Sequence, residues 1–127
     1  MKLRLKGNTI RFRLSKTDVS IFSENRYIHE TTDFGNKVFT YGLKMSENTD
    51  RISAEFLNDA MIINIPISVS QQWTTSNQVG LSEEMPLSDG KKLYILIEKD
   101  FQCLKPRQHE DESDLYTHPQ STVSSHD

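Results

Sequence analysis

The chain has 127 residues, 26% of them charged, and a formal net charge of −3, which is enough chain for one domain with a core of its own. Its single cysteine cannot form an internal disulfide, and no window approaches the roughly 18 apolar residues of a membrane-spanning helix. The N-terminal apolar residues alternate with basic ones, so we expect no signal peptide, no membrane contact and a cytoplasmic location.

Charge is unevenly distributed along the chain. Lysine and arginine outnumber acids by 9 to 6 in residues 1–50, whereas acids outnumber them by 7 to 4 in residues 51–102 and by 5 to 2 in residues 103–127. Nucleic-acid-binding domains are usually strongly basic as a whole. We therefore do not expect nucleic acid as a partner, and an unknown protein or a small anion is the expected ligand.

The first fifty residues predict two strand pairs around a short helix. Residues 2–14 alternate basic and apolar side chains on both sides of Gly7-Asn8, which is typical of a β-hairpin. Ser15 as the N-cap and Asp18 at the capping-box position predict a short helix after it. Two strands follow in residues 26–34 and 37–46, rich in β-branched and aromatic residues.

Residues 51–102 repeat this order of elements. Residues 51–57 and 60–65 predict a second hairpin, Pro66 suits the first turn of a second helix, and residues 78–85 and 91–101 predict two more strands. An offset of 51 positions brings Leu14 onto Ile65, Phe22 onto Trp73 and Ile28 onto Val79. The sequence therefore predicts two ββαββ repeats, 1–50 and 51–102; chance similarity of two hairpin-rich halves is the alternative.

These elements predict an α+β fold of mostly antiparallel β structure. We expect residues 1–104 to form a single domain, barrel-like or with two sheets, and residues 105–127 to form an acidic C-terminal tail. The predicted core consists of Leu3, Leu5, Ile10, Phe12, Leu14, Val19, Phe22, Ile28, Phe39, Tyr41, Phe56, Ile63, Ile65, Trp73, Val79, Leu93, Ile95 and Ile97.

The alternation in the first hairpin creates a candidate anion site. It places five cations, which we call the basic hairpin face, opposite the apolar residues: Lys2, Arg4, Lys6, Arg11 and Arg13. Like charges across a hairpin repel, so this face meets water, carboxylates or an anion. One interpretation is a solvated face neutralised in part by Glu30, Asp33 or Glu55. The other is phosphate or polyanion binding, although no glycine-rich phosphate loop and no exposed aromatic series accompany the cations.

The C-terminal residues contain a candidate metal site. Cysteine, histidine and carboxylate are the ligands that zinc accepts, and they occur together in Cys103, His109, Asp111, Asp114 and His118. Their spacing fits no standard zinc pattern. In the alternative interpretation this tail docks on the body of the protein, with Asp111 and Asp114 pairing to the basic hairpin face, or binds another protein.

Nothing in the sequence predicts a catalytic centre. The chain has no G-x-S-x-G motif, and the adjacent Glu83 and Glu84 would point to opposite faces of a strand, so they cannot act jointly. We expect no catalytic residues and no cofactor.

Four stretches together resemble a family of small uncharacterised bacterial proteins. They are "KLRLKGNTIRFRLSKTDV", "ETTDFG", "SNQVGLSEEMPLSDGKKLYILIEKDFQCL" and the acidic "EDESDLY" with the His-Pro that follows it. The resemblance covers the chain to about residue 119 and implies no activity, but it implies that the acidic tail is part of the protein's design. The interpretation is thus a non-enzymatic binding or regulatory module of the bacterial cytosol.

Overall fold

A computed structural model describes residues 1–101 and 113–117. These residues form eight β-strands and two α-helices, with a short 3-10 helix, Ser88–Gly90, before the last strand. In chain order they are β1 (Lys2–Lys6), β2 (Thr9–Leu14), α1 (Lys16–Asn25), β3 (Tyr27–Asp33), β4 (Val38–Ser46), β5 (Ser53–Leu57), β6 (Ala60–Pro66), α2 (Ile67–Thr75), β7 (Gly80–Pro86) and β8 (Lys92–Lys99).

Local sequence signals account for the element boundaries. The Ser15 hydroxyl accepts from the Asp18 N–H, and the Asp18 carboxylate accepts from the Ser15 N–H, so the predicted capping box is confirmed. Asn58 and Asp59 join β5 to β6 with φ angles of 53° and 62°, as a tight two-residue hairpin turn requires. Pro66 directly precedes α2.

The strands form two four-stranded sheets. Sheet A has the order β1-β2-β8-β7 and sheet B the order β3-β4-β6-β5. Each hairpin is antiparallel as predicted, but the central pairs β2–β8 and β4–β6 are parallel, so both sheets are mixed. The α+β class is confirmed. Four of the six strand pairs are antiparallel, so the pairing is mostly antiparallel as expected, and the two parallel pairs were not predicted.

No described strand pairs across the two sheets, so the barrel-like alternative is wrong and the two-sheet arrangement is confirmed. The sheets bury one face each against the other. The rings of Phe12 in sheet A and Tyr41 in sheet B lie 6.2 Å apart, and the Ala54 N–H in sheet B lies 3.3 Å from the Met85 sulfur in sheet A. We call these facing surfaces the inner faces and the opposite ones the outer faces.

Exchanging the two halves of the chain converts one strand order into the other, since β1 and β2 take the places of β5 and β6. Two ββαββ repeats are consistent with this arrangement, and the internal duplication itself stays a prediction. The register corrects the alignment of the halves. Ile28 faces Leu43, and Leu81, not Val79, holds the matching position opposite Ile97.

The sequence predicted only part of the core: sixteen hydrophobic residues are buried in the described part of the chain, and eleven of them are among the predicted core residues. Leu5, Phe56 and Val79 were predicted to be buried but are 59%, 71% and 41% exposed. Leu5 and Phe56 lie on the edge strands β1 and β5, where neighbours cover one side only, and Val79 precedes β7. The buried residues that the sequence did not predict are Leu43, Met45, Ile52, Met61 and Leu81.

The helices connect the sheets to each other. α1 leads from β2 in sheet A to β3 in sheet B, and α2 leads from β6 in sheet B to β7 in sheet A. Their buried residues Phe22 and Trp73 meet edge to face with ring centroids 6.4 Å apart. In the described part of the chain, neither helix is long and apolar enough to cross a membrane.

Candidate anion-binding face

The basic hairpin face lies on the outer face of sheet A. Lys2 is paired with Arg13, Arg4 with Arg11, and Lys6 with Thr9 across the hairpin. Directly paired residues project to the same side of an antiparallel sheet. The structure therefore brings all five predicted cations together on one surface.

Two of the five cations have carboxylate partners. Lys2 Nζ lies 3.1 Å from Asp100 Oδ2, and Arg11 Nε lies 2.6 Å from Glu98 Oε1. Among the residues the structure describes, Arg4, Lys6 and Arg13 have no ion pair. The face thus keeps an excess of positive charge.

The neutralising acids are not those expected from the sequence. Glu30 lies 2.8 Å from the N-terminal ammonium of Met1, Asp33 accepts from the Gly35 N–H, and Glu55 accepts from the Asn64 side chain. Glu98 reaches Arg11 instead because β8 is the parallel neighbour of β2. That pairing could not be predicted from the local sequence.

Two shallow depressions share Arg4 and Arg11. One has a volume of about 270 Å³ and is completed by Lys6, Thr9 and Leu96. The other has a volume of about 140 Å³ and is completed by Lys2, Leu3 and Arg13. Because a guanidinium group offers a planar fork of donors to an oxyanion, neighbouring arginines on an open surface suit phosphate or carboxylate.

An aromatic residue that the sequence did not single out lies on the same outer face, on the strand next to β2. Tyr94 on β8 is paired with Thr9 on one side and Glu84 on the other, and it is 44% exposed. Leu96 is likewise paired with Arg11 and Ser82. The alternation in residues 91–101 could have placed Tyr94 and Leu96 on the outer face, but not next to the first hairpin.

A wider depression lies on the β7 side of Tyr94. Its volume is about 730 Å³, and Ser82, Glu84, Lys92, Tyr94 and Leu96 contribute to its walls. Lys92 Nζ lies 3.0 Å from Glu84 Oε1. The carboxylates of Glu84, Glu98 and Asp100 are therefore each paired with a cation of this outer face.

Segment 113–117 docks on the body, but at a different place from the one predicted. The Lys16 N–H donates to the Asp114 carbonyl at 2.9 Å, and the Thr17 N–H and hydroxyl donate to Asp114 Oδ1 at 3.2 and 2.9 Å. Asp114 therefore binds the first turn of α1, where exposed N–H groups favour an anion, and not the basic hairpin face. Asp111 lies outside the described residues.

Tyr116 closes over a buried lysine. Its N–H donates to the Asp100 carbonyl at 2.7 Å. The ammonium group of Lys99 lies 5.7 Å from the ring centres of both Trp73 and Tyr116 and donates to the Ser76 carbonyl at 2.7 Å. Burial lowers the pKa of Lys99 and raises that of Tyr116. The aromatic contacts help to hold the ammonium group out of water.

The predicted metal site is only partly within the described chain. Cys103, His109, Asp111 and His118 lie outside the described residues, and the side chain of Asp114 is engaged by Thr17. Within residues 1–101 and 113–117, no group of three or more His, Cys, Asp or Glu side chains could hold a metal ion. Metal binding by the tail stays a prediction.

The fold and this surface define an α+β protein of two stacked mixed sheets, one of which presents a basic, partly aromatic outer face. Residues 1–120 match the family of unknown function DUF7009, and the chain belongs to that family. Comparisons with curated proteins and with solved structures gave no match. The predicted resemblance to a family without an assigned activity is confirmed, and its bacterial origin stays a prediction.

Proposed function

We propose that the protein is a non-enzymatic binding module of the bacterial cytosol and that the basic hairpin face binds a polyanion. The observation that carries this proposal is the cross-strand pairing of Arg4 with Arg11 on an open surface, with no ion pair to Arg4, Lys6 or Arg13 among the described residues. Like charges directly opposite each other destabilise a hairpin. A bound anion would remove that cost.

The arrangement of the cations favours a ligand with several charges. Alternate residues of a strand are about 6.6 Å apart, since each residue rises roughly 3.3 Å. Lys2, Arg4 and Lys6 therefore form a row along β1, with Arg13 and Arg11 beside it on β2. A linear polyanion lying along the hairpin can contact both rows, whereas a single phosphate can contact only one pair.

Thermal unfolding tests this proposal. We expect linear polyphosphate to raise the Tm more than inorganic phosphate does at the same ionic strength, because polyphosphate can contact both rows of cations. A ligand at a hundred times its Kd stabilises the folded protein by about 2.7 kcal/mol. The exposed Arg4 is the residue to change: Arg4→Gln should reduce the polyphosphate shift. Lys44→Gln, an exposed cation on the outer face of sheet B, is the matched control and should leave it unchanged. If neither polyphosphate nor inorganic phosphate raised the Tm, the proposal would be overturned.

A further inference from the structure

We infer that the polyanion bound by the outer face of sheet A is single-stranded nucleic acid, with bases stacking on Tyr94 and phosphates on the basic hairpin face. This inference rests on the proposed function and adds the chemical class of the ligand. It depends on the position of Tyr94, since polyphosphate has no group that an aromatic ring would recognise.

Tyr94 lies on the same outer face as the basic hairpin face, on the strand next to β2. β8 is the parallel neighbour of β2, so Tyr94 lies beside Thr9 and Leu96 lies beside Arg11. Tyr94 is 44% exposed although it lies on a central strand. An exposed aromatic ring on the same sheet face as a row of cations is the combination that binds single strands without strong sequence preference.

Space for a base exists on the far side of the same ring. The depression of about 730 Å³ lies where β7 presents Ser82 beside Leu96 and Glu84 beside Tyr94. The short side chain of Ser82 leaves the apolar Leu96 open on that side. Polar groups of Ser82, Glu84 and Lys92 can contact base edges there. Polyphosphate has no bases and could not make these contacts.

The net charge of the chain does not oppose this ligand, because the fold separates the charges. The carboxylates of Glu84, Glu98 and Asp100 are paired with Lys92, Arg11 and Lys2. Glu83, which also lines the wider depression, is paired with Arg51. Arg4, Lys6 and Arg13 have no ion pair among the described residues. The local excess of positive charge, and not the value of −3 for the whole sequence, decides the attraction to a phosphate backbone.

Several features favour a single strand over a duplex. The face is a sheet surface, and in the described part of the chain no helix projects from it to enter a major groove. Tyr94 can stack only on a base whose face is not already covered by an adjacent base. Single strands supply such bases, whereas a duplex must first be unpaired.

Fluorescence anisotropy with a short labelled oligothymidylate tests the inference, with linear polyphosphate as a competing probe on the full chain. Tyr94→Ala should weaken oligothymidylate binding about tenfold, the usual effect of losing one stacked base, and should leave polyphosphate binding unchanged. Tyr94→Phe keeps the ring and should bind like the wild type. Phe34→Ala, a ring 67% exposed at the β3–β4 turn of sheet B, is the matched control.

Photo-crosslinking of the wild-type protein to an oligonucleotide that carries a photoreactive thymidine keeps the test independent of any variant. The crosslinked peptide should contain Tyr94 or its neighbours on β7 and β8. Crosslinks confined to sheet B would overturn the inference.

The outcomes separate this inference from the proposed function. Binding of polyphosphate without binding of oligothymidylate would overturn nucleic-acid binding and leave polyanion binding intact. Oligothymidylate binding that is lost in Arg4→Gln but is equal in Tyr94→Ala and the wild type would overturn base stacking on Tyr94. Equal affinity for a duplex of the same length would overturn the single-strand inference alone. Failure of both probes to bind would overturn both proposals.

Discussion

The cross-strand pairing of Arg4 with Arg11 has an energetic cost in the free protein. The two guanidinium groups sit on directly paired residues, and only Arg11 has a carboxylate partner among the described residues. Residues that bind ligands are often worse for stability than neutral ones in the same place. Arg4 should therefore favour binding at the expense of the unliganded fold.

Replacing Arg4 should make this cost measurable. We expect Arg4→Gln to raise the free energy of unfolding by about 0.5 kcal/mol at low salt, since it removes a like-charge pair on a hairpin. The gain should shrink as salt screens exposed charges. Urea denaturation at two salt concentrations measures it, with Lys44→Gln on sheet B as the control. A loss of stability in Arg4→Gln would show that the arginine serves the fold instead.

At the scale of the elements, the sequence predicts what is decided by near neighbours. The hairpin turns at Gly7-Asn8 and Asn58-Asp59 and the capping box of Ser15 and Asp18 involve residues within four positions of one another, and all of them could be predicted. The parallel pairs could not, because no local pattern encodes which distant strand joins β2. The five cations were thus predictable as a group, but Tyr94 as their neighbour was not.

Segment 113–117 shows how a short stretch with few apolar residues can be fixed on the body. Asp114 takes the N–H groups at the start of α1, and Tyr116 packs against the core and against Lys99. Hydrogen bonds from Ser15 and Thr17 lower the pKa of the Asp114 carboxylate. The ionised form of Asp114 is therefore the form that docks.

This docking should depend on pH in a defined direction. The folded pKa of Asp114 lies below the unfolded value, so the stabilisation is complete above the ordinary value of about 4 and is lost as the pH falls through the lowered pKa. NMR shifts of the Thr17 and Tyr116 amides should report the release in acid. In Asp114→Ala both amides should show, already at neutral pH, the chemical shifts of the undocked segment.

Glu24→Ala is the matched control for that experiment, because Glu24 is an exposed acid at the other end of α1. It should leave the Thr17 and Tyr116 shifts and their titration unchanged. Native shifts in Asp114→Ala would mean that contacts other than those of the Asp114 carboxylate fix the segment.

At the scale of the whole molecule, the two halves of the chain depend on each other. Each sheet takes one hairpin from residues 1–50 and one from residues 51–102. The two helices meet through Phe22 and Trp73, both fully buried. Neither half can complete a sheet alone, so we expect a single cooperative unfolding transition.

Removing the Phe22 ring tests this dependence. We expect Phe22→Ala to lower the free energy of unfolding by about 3–5 kcal/mol, as for other large-to-small changes in cores. Trp73 fluorescence and far-UV circular dichroism should report the same midpoint in urea, lower than in the wild type. Phe34→Ala, at an exposed position, should change stability by less than about 0.5 kcal/mol. Two separate transitions would contradict the mutual dependence of the halves.

The parallel contact between β2 and β8 also sets an order of events during synthesis. Arg11 and Glu98, which bond across these strands, are 87 positions apart, so the ribosome has made β8 before the first hairpin gains its permanent neighbour. Until then the nascent hairpin has two open edges, where other polypeptides could add as strands. Its repeated lysines and arginines discourage such association, so the basic hairpin face would protect the nascent chain from aggregation before sheet A is complete.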